Sequence, residues 1–398
     1  MDIRIYPGTL HGEITAIPSK SQAHRLLICS AFADKPTKLF CPQTNQDIEA
    51  TVGCLNELGA VIKRTDYGYF ISPIRDIPRQ AVLNCAESGS TLRFLLPIVG
   101  ALGIHADFLL GGRLPTRPLS PLWEEMMRMG CILSRPTGST VRCTGKLQAG
   151  TYSIRGDVSS QYISGLLFAL PLLPYPSQIE IVGKVESAPY IEMTIRALNM
   201  FGLDVSSFRN KPFSPLQTPE IINVEGDWSN AAFFLAANTM GSNILLNGLD
   251  HSSPQGDRRV SEILTKIDSQ PTIEASDIPD LVPILAVCAA AHNGARFTNI
   301  QRLRLKESDR VASVCAMLKA FGCNATASEF ELTVFPGIFH GCEINSANDH
   351  RIAMAAAIGA TVAQEPVTIQ NAQCVQKSYP DFWNDYKKLG GSYEQLIR

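Results

Sequence analysis

GDVSSQYISGLLFAL, Gly156 to Leu170, is a polar stretch with paired hydroxyls that runs straight into an apolar helix pattern. A helix that starts this way leaves free backbone N–H groups and the positive end of its dipole beside Ser159 and Ser160, while its body has no polar face to give to water. The same plan occurs six times. The segments begin near Ser21, Ser90, Ser160, Ser229, Asp280 and Asp349, at successive spacings of 69, 70, 69, 51 and 69 residues. Self-similarity at a fixed long period points to a repeated structural unit.

A second marker runs in phase with the first. Amphipathic helix patterns end in glycine in CLNELGA (Gly59), EEMMRMGC (Gly130), RALNMFGL (Gly202), AMLKAFGC (Gly322) and DYKKLGG (Gly390), where a helix C-terminus needs a left-handed residue. After the first three of these and after Gly322 comes a strand-like stretch, as in AVIKRT then YGYFISP, or CNATA then FELTVF,. The unit therefore reads as apolar helix, strand, amphipathic helix, paired strands. In the fourth unit RRVSEILTKI stops at Ile267 and passes into DSQPTIEASDIPD with neither glycine nor hairpin. About 18 residues are missing there against the ~69-residue period. This is either a trimmed surface hairpin or a mark of impaired function.

The chain has 398 residues. Six such units are too many for one core of ordinary size, so two domains of three units each are expected. Met1 to Pro18 reads as a strand with no unit of its own, which places the crossings near Ser19 and Glu225. The expected division is residues 1–19 plus 226–398 as a discontinuous C-terminal domain and 20–225 as the N-terminal one. The class is α/β (α+β). A formal net charge of −2 gives no global drive toward nucleic acid or an anionic membrane,. The longest apolar run, Leu281 to Ala291, contains Pro283 and is too short to cross a bilayer,. MDIRIYPG has neither a basic nor an apolar leader region, so the mature chain is expected to start at Met1,. Eleven cysteines without a C-x-x-C pair fit reduced thiols in a cytoplasm,.

The polar stretches before the buried helices read PSKSQAHR (Pro18 to Arg25), ESGSTLR (Glu87 to Arg93), GDVSSQY, DIPD (Asp277 to Asp280) and NDHR (Asn348 to Arg351). Each helix start can bind an anion, and hydroxyls at Ser21, Ser159 and Ser160 add donors. Singly, each Ser-Ser pair is also an ordinary N-cap. Cations gather beside these starts: Lys20, Arg25, Arg117, Lys306, Arg310, Arg351 and Lys377. In a chain of near-zero net charge that clustering suits a multivalent anion. Glu307 and Arg310, at i and i+3, form a surface ion pair or else hold a general acid of tuned pKa beside Lys306. Asp280 is a helix cap or a partly desolvated general base. The seven histidines show no H-x-x-x-H spacing and His340 near Cys342 is isolated, so no metal is expected,. G-x-S-x-G, Walker and dinucleotide loops are absent from the sequence,.

Taken in order, PSKSQAHR, SGSTLRF, LPTRPLSPL, GDVSSQY, SAPYIEMT, EGDWSNAAFFLA, QGDRR, IPDLVP, LKESDR, NDHRIAM and KSYPDFW resemble the 5-enolpyruvylshikimate-3-phosphate synthase family of enolpyruvyl transferases, over essentially the whole chain. The resemblance implies two domains of three βαβαββ units each, with the active site in an interdomain cleft. It implies transfer of the enolpyruvyl group of phosphoenolpyruvate to the 5-hydroxyl of shikimate 3-phosphate, with release of phosphate and no metal or organic cofactor. Shikimate 3-phosphate is then expected on Lys20, Ser21, Arg25, Ser159, Ser160, Gln161, Ser187, Tyr190, Asp280 and Lys306, its phosphate on the three hydroxyls of Ser159, Ser160 and Ser187. Phosphoenolpyruvate is expected on Lys20, Gly89, Arg117, Gln161, Arg310, Arg351 and Lys377. The implied catalytic set is Glu307 as acid toward the methylene carbon, with Asp280 or Lys20 taking the hydroxyl proton. The substrates bring roughly five to six negative charges, taking nearly −2 per phosphate, and seven cations answer them.

Two positions depart from the family pattern. Glu87-Ser88-Gly89-Ser90 stands where many members have Asn-Ala-Gly-Thr, which adds a carboxylate near the expected anion site, and Arg302 replaces a commonly polar amide. The sister transferase that acts on UDP-N-acetylglucosamine carries Lys-Asn in the first motif and a cysteine loop before Arg-Pro. This chain has Lys20-Ser21, and no cysteine from Gly111 to Ser120. The remaining alternative is a homologue that binds both ligands without turnover. A cytoplasmic monomer is expected, with two small-molecule substrates and neither nucleic acid nor membrane as partner.

Overall fold

A computed structural model describes residues 1–205, 207–210 and 216–396. Its contacts divide the chain into two compact units, Pro18–Val224 and Met1–Ile17 with Glu225–Arg398. Each unit has its own hydrophobic core.

Unit 18–224 holds three sheets. Strand Ile221–Asn223 runs parallel to Thr37–Phe40, which continues antiparallel into Gly68–Ser72 and Val61–Thr65. Gln80–Asn84 runs parallel to His105–Leu109, followed by Thr140–Gly145 and Cys131–Thr137. Thr151–Arg155 runs parallel to Ser177–Val182, with Arg209–Asn210 antiparallel beyond it. The further strand expected after Gly202 falls partly on residues 206 and 211–215, outside the described residues. Helices Lys20–Ala31, Gly89–Leu102 and Ser160–Ala169 are buried along most of their length. Gln46–Glu57, Leu122–Arg128 and Ala188–Met200 bury one face only. Gly165 lets two buried helices touch at the backbone, since a Cβ there would overlap the Arg93 carbonyl oxygen.

The second unit repeats the plan. Thr272–Glu274 is parallel to Ala295–Thr298, which pairs with the hairpin Ala325–Ala327 and Glu331–Val334. Glu343–Asn345 is parallel to Val367–Gln370, and Asp2–Tyr6 and Ser392–Leu396 finish that sheet. His11–Thr15 and Asn243–Asn247 make a sheet of two described strands, parallel to one another. Met1 to Pro18 is therefore two strands rather than one. The first lies inside the last sheet, between Val367–Gln370 and Ser392–Leu396, and the second opens the fourth unit. Helices Trp228–Thr239, Val282–Ala291 and His350–Gly359 form the interior; every residue from Val282 to Ala290 is buried. Such a helix owes its place to packing: truncating its buried Leu285 to alanine costs about 2–5 kcal/mol,.

The five glycines that end the amphipathic helices all have positive φ, between 78° at Gly202 and 107° at Gly130. The shortened helix Val260–Thr265 ends without glycine. It tightens into Ile267–Ser269, and Gln270 takes the left-handed conformation at φ 53°. In the other five sheets an antiparallel strand flanks the second parallel strand. Asn243–Asn247 has no such neighbour among the described residues. Instead the Ile244 N–H donates to Asn238 Oδ1 (2.8 Å), and Asn238 Nδ2 donates to the Ile244 carbonyl (2.9 Å). One side-chain amide takes the place of a strand there. No described helix is long and apolar enough to cross a membrane, and all eleven cysteines are free thiols.

Candidate active site

In unit 18–224 the expected residues other than Arg117 lie in the first turns of helices or at their caps. Ser19, Ser88 and Ser159 cap three buried helices through Gln22 N (3.4 Å), Thr91 N (3.2 Å) and Gln161 N (3.3 Å), so Lys20, Gly89 and Ser160 are the first residues inside them. Ser159 is thus an N-cap as well as a candidate ligand. Gln161 ties two of the starts together: its Nε2 donates to Ser90 Oγ (2.9 Å), and its Oε1 accepts from Arg93 NH1 (3.0 Å). Arg93 NH2 and the Tyr162 hydroxyl both donate to the Pro118 carbonyl (3.1 and 2.6 Å), which pins the segment carrying Arg117. A Cβ at Gly89 would stand 2.5 Å from Arg93 NH1 and 3.1 Å from Arg117 NH1. Two guanidiniums therefore converge on a helix N-terminus where any side chain would displace them, an arrangement suited to a compact anion,.

Lys20 pairs with Asp47 at 2.8 Å. Arg25 is buried, and three of its N–H groups hold the Thr194 hydroxyl (2.8 Å) and the Ser21 and Tyr190 carbonyls (2.6 and 2.7 Å). Burial pushes its pKa down to about 10. Thr194 donates onward to Ser164 (2.8 Å), so the helices bearing Ser21, Tyr190 and Ser160 share one network. Ser187 caps Ala188–Met200 from a left-handed backbone, φ 56°, and is itself buried. The additional carboxylate, Glu87, lies against Gly112, where a Cβ would overlap it.

In the other unit Arg310, 1% exposed, is the centre. Its Nε donates to Asp349 (2.9 Å), NH1 to Asp280 (2.5 Å) and NH2 to Glu307 (2.7 Å). Ser308 Oγ also donates to Asp349 (2.9 Å). Glu307 is therefore not in a surface pair: its partner is buried while Glu307 itself keeps 23% exposure. Asp280 is no helix cap either. The capping position is Leu281, without a side-chain hydrogen bond, and the Asp280 carboxylate instead faces Arg310, Lys306 (3.4 Å) and Arg351 (3.7 Å). Arg351 NH1 donates to the Ser229 carbonyl (2.8 Å), and Lys377 Nζ donates to the Asn348 carbonyl (2.9 Å). Burial pushes the Asp280 carboxyl up, but Lys306, Arg310 and Arg351 more than reverse it and hold it well below the ordinary range. Burial pushes Lys306 down, with Asp280 opposing. For Arg310 burial is overcome by Asp349, Glu307 and Asp280, which hold its charge firmly. Among the described residues no three His, Cys, Asp or Glu side chains gather as a metal site; Asp280, Glu307 and Asp349 face a guanidinium.

A family model described as EPSP synthase (3-phosphoshikimate 1-carboxyvinyltransferase) matches residues 6–386. The chain is 37% identical over 424 residues to the 3-phosphoshikimate 1-carboxyvinyltransferase of Clostridium botulinum strain Alaska E43, with 98% of each covered. The chain belongs to the EPSP synthase family. The Clostridium beijerinckii relative, named as the same EPSP synthase activity, is 37% identical over 429 residues, with 99% of this chain and 98% of the relative covered. An EPSP synthase structure from Acinetobacter baumannii shares the fold at TM-score 0.79 and 22% identity, across 99% of this chain and 100% of that one.

The EPSP synthase motifs thus mark two clusters, one in each unit. Lys20, Ser21, Arg25, Gly89, Arg117, Ser159, Ser160, Gln161, Ser187 and Tyr190 lie in the first, and Asp280, Lys306, Glu307, Arg310, Arg351 and Lys377 in the second. Sequence reasoning passed over Arg93, Asp47 and Asp349. The signal for Arg93 was present: an arginine inside an apolar helix must face a polar partner.

Proposed function

We propose that this chain transfers the enolpyruvyl group of phosphoenolpyruvate to the 5-hydroxyl of shikimate 3-phosphate, releasing phosphate, as the 3-phosphoshikimate 1-carboxyvinyltransferase of aromatic amino acid biosynthesis. The observation that carries the reading is the cluster of Asp280, Lys306, Glu307, Arg310 and Arg351 in a chain of the EPSP synthase family. It combines an ionised carboxylate, a second accessible carboxyl and several fixed cations, which is what proton transfer between two anionic reactants requires.

The hydroxyls of Ser159, Ser160 and Ser187 receive the shikimate phosphate, with Ser21, Arg25, Gln161, Tyr190 and Lys306 around the ring. Gly89, Arg117, Gln161, Lys20, Arg310, Arg351 and Lys377 receive phosphoenolpyruvate, and Arg93 joins them through Gln161 and Gly89. The 5-hydroxyl gives its proton to Asp280 or to Lys20. The freed oxygen pair forms the bond to C2, and the C2–C3 π pair takes a proton from Glu307 to make a methyl group. The tetrahedral intermediate then returns a methyl proton to Glu307 while the C–O bond to phosphate breaks and phosphate leaves. Holding two reactants in place supplies proximity, and the fixed cations meet charge without reorganising. The same reading has the chain act as a cytoplasmic monomer.

Glu307→Ala removes the acid and leaves the binding residues. Phosphate release with both substrates should fall about 10²- to 10⁴-fold, the usual worth of a positioned general acid, with KM values within a few-fold. Unchanged kcat in a folded variant would take Glu307 out of the mechanism.

A further inference from the structure

Asp257 has no part in the sets above, yet Asp280 and Arg351 from them act on its carboxyl. It lies in the short turn Gly256–Arg259 and is 1% exposed. Its Oδ2 accepts a short hydrogen bond from Ser229 Oγ, and its Oδ1 has no hydrogen-bond partner among the described residues. The backbone carbonyl of the same Ser229 accepts from Arg351 NH1 (2.8 Å), and Arg351 NH2 faces Asp280 at 3.7 Å. A continuous path thus runs from Asp257 through Ser229 and Arg351 to the proposed base. The charged groups that face Asp257 are Asp280 on the loop before Val282–Ala291, Arg351 on the first turn of His350–Gly359 and Asp227 at the cap of Trp228–Thr239. Arg258 and Arg259 on its own turn point to solvent.

Resting on the functional reading above, we propose that Asp257 is a positioning residue for the Arg351–Asp280 pair, and that the proton on its carboxyl sets the strength of Asp280 as a base. A buried carboxyl with one oxygen unpaired is costly to ionise. Burial first, then the charge of Asp280, raise Asp257 to about 7, while Ser229 and Arg351 pull the other way. When Asp257 is protonated, Arg351 answers Asp280 alone and holds its proton affinity low. When Asp257 ionises, a second negative charge faces Arg351 and Asp280, and Asp280 takes a proton more readily. The step is one ionisation: the Asp257 O–H bond breaks, its electron pair stays on the carboxylate and its proton goes to solvent water.

The test is the pH dependence of phosphate release in the full chain, with infrared titration of the buried carboxyl as a second readout. Wild type should gain several-fold in kcat between pH 6 and 8, roughly one unit either side of the value for this carboxyl,. Asp257→Asn should match wild type at the acid end, lose that gain at the alkaline end, and keep KM for phosphoenolpyruvate within about two-fold. A purely packing role would lower kcat equally at every pH. Ser229→Ala keeps the carbonyl that holds Arg351 but removes the donor that favours the charged form, so the inflection should move to higher pH. The infrared carboxylic acid band of Asp257, absent from Asp257→Asn, should titrate near neutrality. An active wild type with the same profile as Asp257→Asn overturns the proposal, and so does an infrared spectrum with no neutral-range acid band. Should wild type release no phosphate with both substrates, the functional reading fails, and the infrared titration still decides where the proton sits.

Discussion

Arg310 shows how a charged side chain can be indispensable without being free. It is enclosed, and each of its three nitrogens goes to a carboxylate, Asp349, Asp280 or Glu307. Its planar fork fixes where the proposed acid and base stand, something a point-charged lysine cannot do. At Gly89 the constraint is space. The methyl of Gly89→Ala would fall 2.5 Å from Arg93 NH1 and 3.1 Å from Arg117 NH1, so the guanidiniums must retreat from the helix start. The expected result is a rise in KM for phosphoenolpyruvate of about ten-fold or more, the cost of losing one good charge-assisted contact, with KM for shikimate 3-phosphate and Tm little changed. Steady-state kinetics with each substrate varied in turn checks this, and an unchanged KM would remove Gly89 from the anion site. In the sequence Lys20, Arg117 and Glu307 stood out as charges in polar motifs near helix patterns, and Gly89 came with the family resemblance. Asp257 and Asp349 did not, because only packing shows which carboxylate meets which guanidinium or hydroxyl.

Among the elements, the fourth sheet decides how to read the missing residues. Beside its two described strands Ser229 donates to Asp257, and Ser229 and Asn230 accept from Arg351, so the shortened segment has not removed the polar network around Arg351. What it removed was the partner of one strand edge, and Asn238 supplies the two hydrogen bonds at Ile244 instead. Asn238→Ala would leave a part-buried N–H and C=O without partners at about 1–3 kcal/mol. Tm should drop by a few degrees while kcat at 25 °C stays within two-fold; differential scanning calorimetry beside an activity assay checks both. An unchanged Tm would mean that water or a rearranged strand satisfies Ile244. The 51-residue spacing announced this shortening, since a lost hairpin changes the period. The amide that makes the loss tolerable was hidden, because an asparagine late in a helix pattern looks the same whether or not its side chain meets a strand.

At the scale of the whole molecule, the repeat count was readable because helix burial and glycine-ended helices recur in phase, and both are local signals. Strand assignment was not local. Asp2–Tyr6 is the third strand of a sheet that runs from Glu343–Asn345 to Ser392–Leu396, and Ile221–Asn223 opens the sheet of the first repeat. A five-residue alternating strand carries no mark of which distant edge it will pair with, so Met1 to Pro18 read as one strand although it holds two. The residues expected on each substrate belong to both units, and neither cluster alone holds the full set for either substrate. The most direct measurement is therefore phosphate release from the full chain with shikimate 3-phosphate and phosphoenolpyruvate together, against each alone. Release that requires both, with the enolpyruvyl ether of shikimate 3-phosphate appearing in equal amount, is the predicted result. Release from phosphoenolpyruvate alone, or none with both bound to the folded protein, would contradict it.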